Sequence, residues 1–267
     1  MRVCTPERPL GGALGWAAPA GRIAWLENVW VPPGPPASAS RTSAPVRALV
    51  FDFDGLIIDT EGPVYEAWAE VYRKHGQELS LEFWKTIVGR GSNYFDPIAE
   101  LEVRLGRSLE GEAIRAERRL RTLELVEALT ILPGVIEWRK EAKALGVRLG
   151  VASSSGRGWV TGHLERLGLA GWDCIRCLED VDNPKPAADL YLSVLECLGV
   201  PPQQAVAVED SVHGVEAAKT AGLYCVAVPS SLTADHDFSR ADLVLSSLSE
   251  RSFGEVGVLA GGGGRRR

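Results

Sequence analysis

The fold is decided by the stretch Arg47–Gly55, which reads Arg-Ala-Leu-Val-Phe-Asp-Phe-Asp-Gly. Its apolar residues predict a strand over 47–53 that is covered on both faces, as the strands of a parallel sheet are. Because side chains alternate along a strand, Asp52 and Asp54 lie on the same side of the chain. Unpaired carboxylates are costly to bury, so two of them at the end of an apolar strand indicate a functional site. A helix cap or a turn at Gly55 is the alternative.

Beyond this stretch, short apolar runs alternate with longer segments of helical periodicity. Further strands are predicted at 147–152, 205–209, 223–228 and 242–245, and helices at 134–145, 157–167, 186–198 and 211–220. A glycine follows each of these helices, as is common at a helix C-terminus. The alternation predicts an α/β protein with a doubly wound, Rossmann-like parallel sheet.

Residues 62–132 depart from this alternation, since they contain amphipathic stretches and no convincing strand. They follow the first strand directly, so we expect an inserted α-helical cap over the carboxyl ends of the strands, where ligands bind in such sheets. The α/β core then comprises residues 46–61 and 133–250. Six arginines of the cap are expected on an exposed helix face with i,i+4 ion pairs: Arg104, Arg107, Arg115, Arg118, Arg119 and Arg121.

Both ends of the chain are predicted to be tails. Residues 1–45 are rich in Pro and Gly and lack a periodic apolar pattern, which predicts a disordered segment. An alternative start codon can encode Val46, so whether this segment belongs to the native protein stays open at this point. Residues 251–267 include four consecutive glycines followed by three arginines, and we expect a flexible tail there.

The composition restricts the class of protein. The chain has 267 residues, and its 29 basic and 35 acidic side chains give a formal charge of −6. This balance argues against a nucleic-acid partner, because such binding requires clustered Lys and Arg. No run of about 18 apolar residues is present, so no membrane-spanning helix is predicted. We expect a monomer.

The cysteines predict a reducing, cytoplasmic location. There are five, an odd number, in a chain large enough to fold without disulfides. Cys174 and Cys177 have Cys-x-x-Cys spacing, but a structural zinc site needs four ligands and no second pair follows. A redox pair should open a helix, whereas this pair lies in an extended segment, so a structural role is expected.

Three more polar groups are predicted at strand ends or helix entrances. The second strand runs into Ser153 and Ser154, whose hydroxyl and backbone N–H groups form an anion cradle, unless they only cap the next helix. Lys185 lies between two prolines in a rigid loop, where a solvated lysine is the alternative. The strand at 205–209 ends in Glu209 and is followed by Asp210. Two acidic pairs in one sheet are more than helix capping explains.

The acids predict a bound cation. Ionised Asp52, Glu209 and Asp210 together with a phosphate dianion carry five negative charges, against one positive charge on Lys185. Like charges 4 Å apart repel by about 4 kcal/mol at an effective dielectric of 20. A hard divalent cation with oxygen ligands is therefore required, and Mg²⁺ fits better than zinc because the four histidines are scattered. Neither a G-x-S-x-G elbow nor a P-loop is present, so the nucleophile is expected to be a carboxylate.

In their order and placement, these motifs resemble the haloacid dehalogenase superfamily from about residue 47 to residue 246. The stretches 52–61 and 208–219 are especially specific. The helical insertion resembles the cap of the β-phosphoglucomutase and phosphoglycolate phosphatase group. The residues that match the four family motifs are Asp52 and Asp54, then Ser153, then Lys185, and finally Glu209 with Asp210.

The resemblance implies a two-step phosphoryl transfer on a small phosphorylated metabolite. Asp52 would attack phosphorus and become an aspartyl-phosphate. Asp54 would protonate the leaving oxygen and then activate the water that hydrolyses the intermediate. Ser153 and Lys185 would hold the transferring oxygens, with Ser154 next to them in the predicted phosphate cradle. Positioning and charge neutralisation account for most catalysis in such reactions.

The resemblance also implies a set of metal ligands. Mg²⁺ would be bound by Asp52, by the backbone carbonyl of Asp54 and by Asp210, with Glu209 close by. The presence of Asp54 favours phosphate chemistry over dehalogenation, because the dehalogenase branch characteristically lacks both the second aspartate and the metal.

A phosphatase is favoured over a sugar-phosphate mutase. In β-phosphoglucomutases the first cap helix carries a histidine that assists the acid/base aspartate, four residues after a threonine equivalent to Thr60. That position is Val64 here. We therefore expect hydrolysis of a small phosphomonoester, with a β-phosphoglucomutase-like mutase as the alternative.

A second alternative is a catalytically idle binding protein that uses the Trp-containing N-terminal segment, although the intact motifs argue against it.

Substrate choice is expected to depend on the cap. Arg90 and Asn93 lie in a predicted specificity loop and Glu61 lies at the hinge. A solvated Gly-rich turn is the alternative for that loop.

Overall fold

The computed structural model describes residues 45–90 and 94–262 of the chain. The predicted N-terminal tail, except for its last residue, lies outside these ranges. So does Asn93. The described part contains the strands β1 (Ala48–Phe51), β2 (Arg148–Ala152), β3 (Cys174–Arg176), β4 (Ala205–Glu209), β5 (Tyr224–Ala227) and β6 (Leu243–Val244).

All six strands are parallel and form one sheet in the order β3-β2-β1-β4-β5-β6. β1 is central and pairs with β2 on one side and with β4 on the other. The strand order reverses at β1, so a crevice opens at its carboxyl end, which is where ligands bind in sheets of this kind. The predicted doubly wound parallel sheet is confirmed.

The helices of the described ranges are α1 (Glu61–Lys74), α2 (Leu81–Lys85), α3 (Pro97–Leu105), α4 (Gly111–Glu127), α5 (Val135–Ala144), α6 (Arg157–Arg166), α7 (Asp189–Leu198), α8 (Val212–Thr220) and α9 (Phe253–Gly261). None of them combines the length and the apolar character that crossing a membrane requires. The side chains of β1 alternate between two hydrophobic clusters, one shared with α5, α6 and α9 and the other with α7 and α8. Both faces of the sheet are therefore covered by helices.

Helices α1 to α4 pack around a hydrophobic cluster of their own. The cluster includes Trp68, Tyr72, Trp84 and Leu101, and the Tyr72 hydroxyl donates to the carbonyl oxygen of Pro97 at 2.8 Å. The four helices lie between β1 and α5 in the chain. The inserted helical cap predicted as part of the fold is confirmed, while its boundaries at 62 and 132 stay a prediction.

The predicted flexible tail over 251–267 is wrong for its first part, because α9 is a packed helix. Ser252 caps α9 through its side chain, and Phe253 and Val256 are 1% and 0% exposed in the cluster shared with α5. The sequence signal was weak, since α9 buries only these two positions and the adjoining glycines and arginines dominate the composition. Residues 263–267 lie outside the described ranges.

The prediction of reduced cysteines is also wrong for one pair. Cys174 in β3 and Cys197 in α7 form a disulfide with their Cα atoms 6.3 Å apart. Cys177 is a buried free thiol, so Cys174 and Cys177 are not bonded to each other. The partners are separated by 23 residues along the chain, so no short motif indicated the bond. The cytoplasmic location stays a prediction.

Replacing Phe253 with Ala tests whether α9 belongs to the core. We expect Phe253→Ala to lower the free energy of unfolding by about 3 kcal/mol, because it removes a fully buried ring from a packed cluster. The control is Val258→Ala in the same helix, where the side chain is 74% exposed, and it should change stability by less than about 0.5 kcal/mol. Urea unfolding measures both, and equal stabilities would show that α9 does not contribute to the core.

Candidate active site

The polar residues predicted at the strand ends meet at one edge of the sheet. Asp52 directly follows β1, Ser153 directly follows β2, and Glu209 ends β4 with Asp210 after it. Neighbouring parallel strands end at the same edge, which is why segments far apart along the chain converge here. Lys185 reaches the same place from the loop before α7.

The Lys185 ammonium group lies between two carboxylates. Its Nζ is 2.5 Å from Oδ1 of Asp52 and 2.6 Å from Oε1 of Glu209, and the residue is 3% exposed. The Tyr191 hydroxyl donates to the same oxygen of Glu209. A buried ammonium held between two acids is fixed in position and cannot exchange its partners for water.

Three carboxylates lie close together, and the single positive charge of Lys185 does not neutralise all of them. One oxygen from each of Asp52, Glu209 and Asp210 lies within 4.8 Å of the others. Oε2 of Glu209 and Oδ2 of Asp210 are buried without a hydrogen-bond partner in the described part of the protein. Orphaned carboxylate oxygens are costly unless a cation binds them. The oxygen-only donor set and these two orphaned atoms fit a hard divalent cation such as Mg²⁺.

Two glycines make room for these acids. Gly55 has φ +76°, and a Cβ at this position would overlap the Asp210 carboxylate. A Cβ on Gly214 in α8 would overlap the carboxylate of Glu209. The backbone therefore approaches the acidic cluster more closely than any side chain would allow.

Burial raises the pKa values of two carboxyl groups in the cluster, those of Asp52 and Asp210. Burial, with the negative charges of Glu209 and Asp54, raises the pKa of Asp52 to about 7 despite the opposing effect of Lys185. Burial and the charges of Asp52, Glu61 and Glu209 raise the pKa of Asp210 well above its ordinary value. Without a bound cation, burial therefore favours the protonated forms of Asp52 and Asp210.

Four side chains surround the carboxylate of Asp54. The Thr60 hydroxyl and the Trp159 indole N–H donate to Oδ1 at 2.5 and 2.8 Å, and the Ser155 hydroxyl donates to Oδ2 at 2.6 Å. Ser153 contributes a longer contact of 3.5 Å to Oδ2. Asp54 is thus held as a hydrogen-bond acceptor at the entrance of the site.

The predicted phosphate cradle lies at the carboxyl end of β2. Ser153 is 1% exposed, and its hydroxyl accepts the backbone N–H of Ser155 at 3.0 Å. The hydroxyl oxygen of Ser154 is buried without a partner among the described residues, although Ser154 lines the adjacent cavity. The Ser154 hydroxyl therefore has unused hydrogen-bonding capacity next to the cavity.

A cavity of about 1000 Å³ lies between the cap and the core. Asp54, Ser154, Glu61 and Arg90 all line it. Burial, followed by the charges of neighbouring aspartates, raises the pKa of Glu61 to about 8. The structure thus brings two of the three predicted cap residues to the same cavity as the core motifs, while Asn93 lies outside the described ranges.

The loop that carries Arg90 is docked on the core by a residue that the sequence did not single out. The Nε–H of Arg90 donates to Nε2 of His213 at 3.0 Å, and Nδ1 of His213 lies 2.9 Å from the carbonyl oxygen of Val88. A Cβ on Gly89 would overlap the Ser211 side chain. The cap loop and the N-terminus of α8 are therefore in direct contact.

Several residues of the site were missed at the sequence level. Ser155 and Trp159 bind Asp54, Tyr191 binds Glu209, and His213 binds Arg90. Ser155 continues the Ser153-Ser154 run, which was the only signal for any of them. The other three contacts join distant parts of the chain and leave no short motif.

The expectation of an exposed arginine face on the cap is only partly confirmed. Arg104 forms the expected i,i+4 pair with Glu100 at 2.9 Å. Arg118 and Arg119, in contrast, line the cavity. Both belong to α4, so one face of that helix borders the site.

The comparison with protein families decides the identity of this fold and site. The sequence model described as "Haloacid dehalogenase-like hydrolase" matches residues 49–228, more than half of the chain. The chain belongs to this family. The match confirms the predicted superfamily and, with it, the predicted class of enzyme, a HAD-like phosphatase.

Curated relatives of this HAD-like protein span most of its length. It is 41% identical to "Putative phosphatase YhcW" of Bacillus subtilis over 77% of this chain and 93% of the relative. It is 30% identical to "Validoxylamine A 7'-phosphate phosphatase" of Streptomyces hygroscopicus subsp. limoneus, over 79% of this chain and 98% of the relative. A solved structure of a CbbY mutant from Rhodobacter sphaeroides, in complex with xylulose-(1,5)bisphosphate, has 29% identity and a TM-score of 0.66 over 77% of this chain and 96% of that chain.

Adding a methyl group at Gly214 tests the close approach of α8 to the acidic cluster. We expect Gly214→Ala to lower the free energy of unfolding by about 1–3 kcal/mol, because the new Cβ must displace the buried Glu209 carboxylate. Gly162→Ala in α6 is the matched control, since a Cβ there meets no atom within 4 Å. This control should keep or raise stability, because Ala favours helix more than Gly does. Equal urea-unfolding curves for the two variants would contradict the described packing.

Proposed function

We propose that this HAD-like phosphatase hydrolyses a small phosphomonoester with Mg²⁺ and through an aspartyl-phosphate on Asp52. The observation that carries the proposal is the cluster formed by Asp52 with Glu209, Asp210 and the Lys185 ammonium group. Three buried carboxylates beside one buried ammonium group are what a reaction that concentrates negative charge needs, which supports this proposal.

Asp52 supplies the nucleophile. Its Oδ1 is bound to Lys185, so Oδ2 is the oxygen left to attack phosphorus. Attack forms an O–P bond to Asp52 and breaks the bond to the leaving alcohol, whose oxygen takes a proton from Asp54. In the second step Asp54 takes a proton from water. The resulting hydroxide forms a bond to phosphorus while the bond between phosphorus and Asp52 breaks, which releases phosphate and regenerates the Asp52 carboxylate. The three short hydrogen bonds that Asp54 accepts orient its carboxylate for this step.

The phosphoryl oxygens are held by groups from β2 and from the loop before α7. The unpartnered hydroxyl of Ser154, with Ser153 beside it, supplies donors. Lys185 supplies positive charge. Mg²⁺ would be held by Asp52, Asp210 and the backbone carbonyl of Asp54, with Glu209 close by, and would neutralise charge on the transferring phosphoryl group.

The cap residues favour water over a sugar hydroxyl as the acceptor of the phosphoryl group. Val64 lines the cavity at the position where β-phosphoglucomutases carry an assisting histidine. A solved β-phosphoglucomutase from Clostridium difficile is similar to this chain with a TM-score of 0.66, but at 24% identity this shows only the shared fold. The relatives' names support phosphorylated small molecules, sugar phosphates among them, as the substrate class. Monomeric state and cytoplasmic location belong to the same proposal.

Replacing the nucleophile tests the reaction directly. We expect Asp52→Asn to lower kcat for any phosphomonoester substrate by at least about 10³-fold, because an amide cannot form the acyl-phosphate. The control Asp182→Asn removes an exposed carboxylate outside the site and should retain full activity. Phosphate release is measured with and without Mg²⁺, and a turnover that survives in Asp52→Asn would eliminate the mechanism.

The product distinguishes a phosphatase from a mutase. With β-glucose 1-phosphate and Mg²⁺, ³¹P NMR should show inorganic phosphate as the product, because Val64 provides no acid or base for transfer to a sugar hydroxyl. Accumulation of glucose 6-phosphate in place of inorganic phosphate would favour the mutase.

A further inference from the structure

The arginines of α4 divide into paired and unpaired groups. Arg121 is bound to Glu70 at 3.0 Å, and Arg115 is bound to both carboxylate oxygens of Asp96 at 2.7 Å. Arg118 and Arg119 have no carboxylate partner in the described ranges. Both line the cavity that Asp54 and Ser154 border from the core side.

Neighbouring side chains hold Arg118 in place, but no acid among the described residues neutralises its charge. Its guanidinium lies 4.9 Å from the centre of the Trp68 ring, and Nη1 makes one long contact of 3.4 Å with the Thr122 hydroxyl. Its Nε is buried and has no hydrogen-bond partner among the described residues. The contact with Trp68 holds the guanidinium beside the cavity, so it is positioned before any ligand arrives.

The surroundings of Arg118 disfavour its charge when the cavity holds no anion. Burial and the positive charges of Arg119 and Arg115 lower the pKa of Arg118. Asp96, which also lines the cavity, is bound to Arg115. No carboxylate of the described residues pairs with Arg118, so its guanidinium is available to an anion in the cavity.

We propose that Arg118 and Arg119 form a second anion subsite on the cap, which binds a phosphate or carboxylate group at the far end of a phosphomonoester substrate. The inference rests on the proposed function for the first phosphate and extends it by naming the class of substrate, a bis-anion. The reacting groups lie on the core and the arginines lie on the cap. A ligand with two anionic ends therefore contacts both parts at once, and a mono-anionic phosphomonoester leaves Arg118 unpaired.

Binding and turnover of three matched probes test the subsite. The probes are glucose 1,6-bisphosphate with a second phosphate, 6-phosphogluconate with a carboxylate, and glucose 6-phosphate with neither. Calorimetry on the Asp52→Asn protein with Mg²⁺ measures affinity without turnover, and wild type provides kcat/KM. We expect at least one bis-anion to bind about tenfold or more tightly than glucose 6-phosphate. The preferred probe shows whether the second group is a phosphate or a carboxylate.

Charge-removing variants locate the subsite. Arg118→Gln should lose most of the preference for the bis-anion, and Arg119→Gln, an exposed position that folding should tolerate, should lose part of it. Arg107→Gln is the matched control, because it removes the same charge from an exposed cap arginine that does not line the cavity; it should keep the wild-type preference. Equal affinity for all three probes, no binding of either bis-anion, or an equal effect of Arg107→Gln would overturn the inference.

The two proposals fail separately. If the wild type hydrolyses phosphomonoesters without preferring either bis-anion, the subsite is excluded and the phosphatase stands. If Asp52→Asn binds a bis-anion through Arg118 while the wild type releases no phosphate from any probe, the proposed reaction is excluded and the subsite stands.

Discussion

The rest of the structure depends on a buried ammonium group shared by two carboxylates. Lys185 contacts both Asp52 and Glu209, and all three residues are almost completely shielded from solvent. One positive charge cannot offset these acids together with Asp210. Tyr191 donates to Glu209, and Gly55 and Gly214 leave room for the carboxylates. Two carboxylate oxygens have no hydrogen-bond partner in the part of the chain that the structure describes. Such an arrangement is unfavourable for stability alone, and the proposed divalent cation would offset its negative charge and its electrostatic cost.

Much of the core site was predictable, because residues at the carboxyl ends of parallel strands lie at the same edge of the sheet. The sequence predicted Asp52 and Glu209 at the ends of two strands of one parallel sheet, and such strands end at the same edge, so these acids were expected to lie close together. The strands β2, β4 and β5 were also predicted, because strands that are buried on both faces appear in the sequence as apolar runs. β3, which has only three residues, was not predicted as a strand.

Contacts between distant side chains could not be predicted in this way. Trp159 is a helix residue whose indole N–H happens to reach Asp54, and no local pattern distinguishes it from a packing residue. The disulfide between Cys174 and Cys197 depends on how α7 packs on β3. The location of Arg118 could not be predicted either. Its place in the helix was compatible with an exposed face, and only the packing of α4 shows that it borders the cavity.

The most direct test of the central claim is to trap the covalent intermediate. Wild-type protein turning over a phosphomonoester with Mg²⁺ is quenched with borohydride, which reduces an aspartyl-phosphate to homoserine, and the peptides are analysed by mass spectrometry. The account predicts homoserine at position 52 and at no other aspartate, with none formed when substrate is omitted. Reduction at a different residue, or turnover with an unmodified Asp52 peptide, would contradict it.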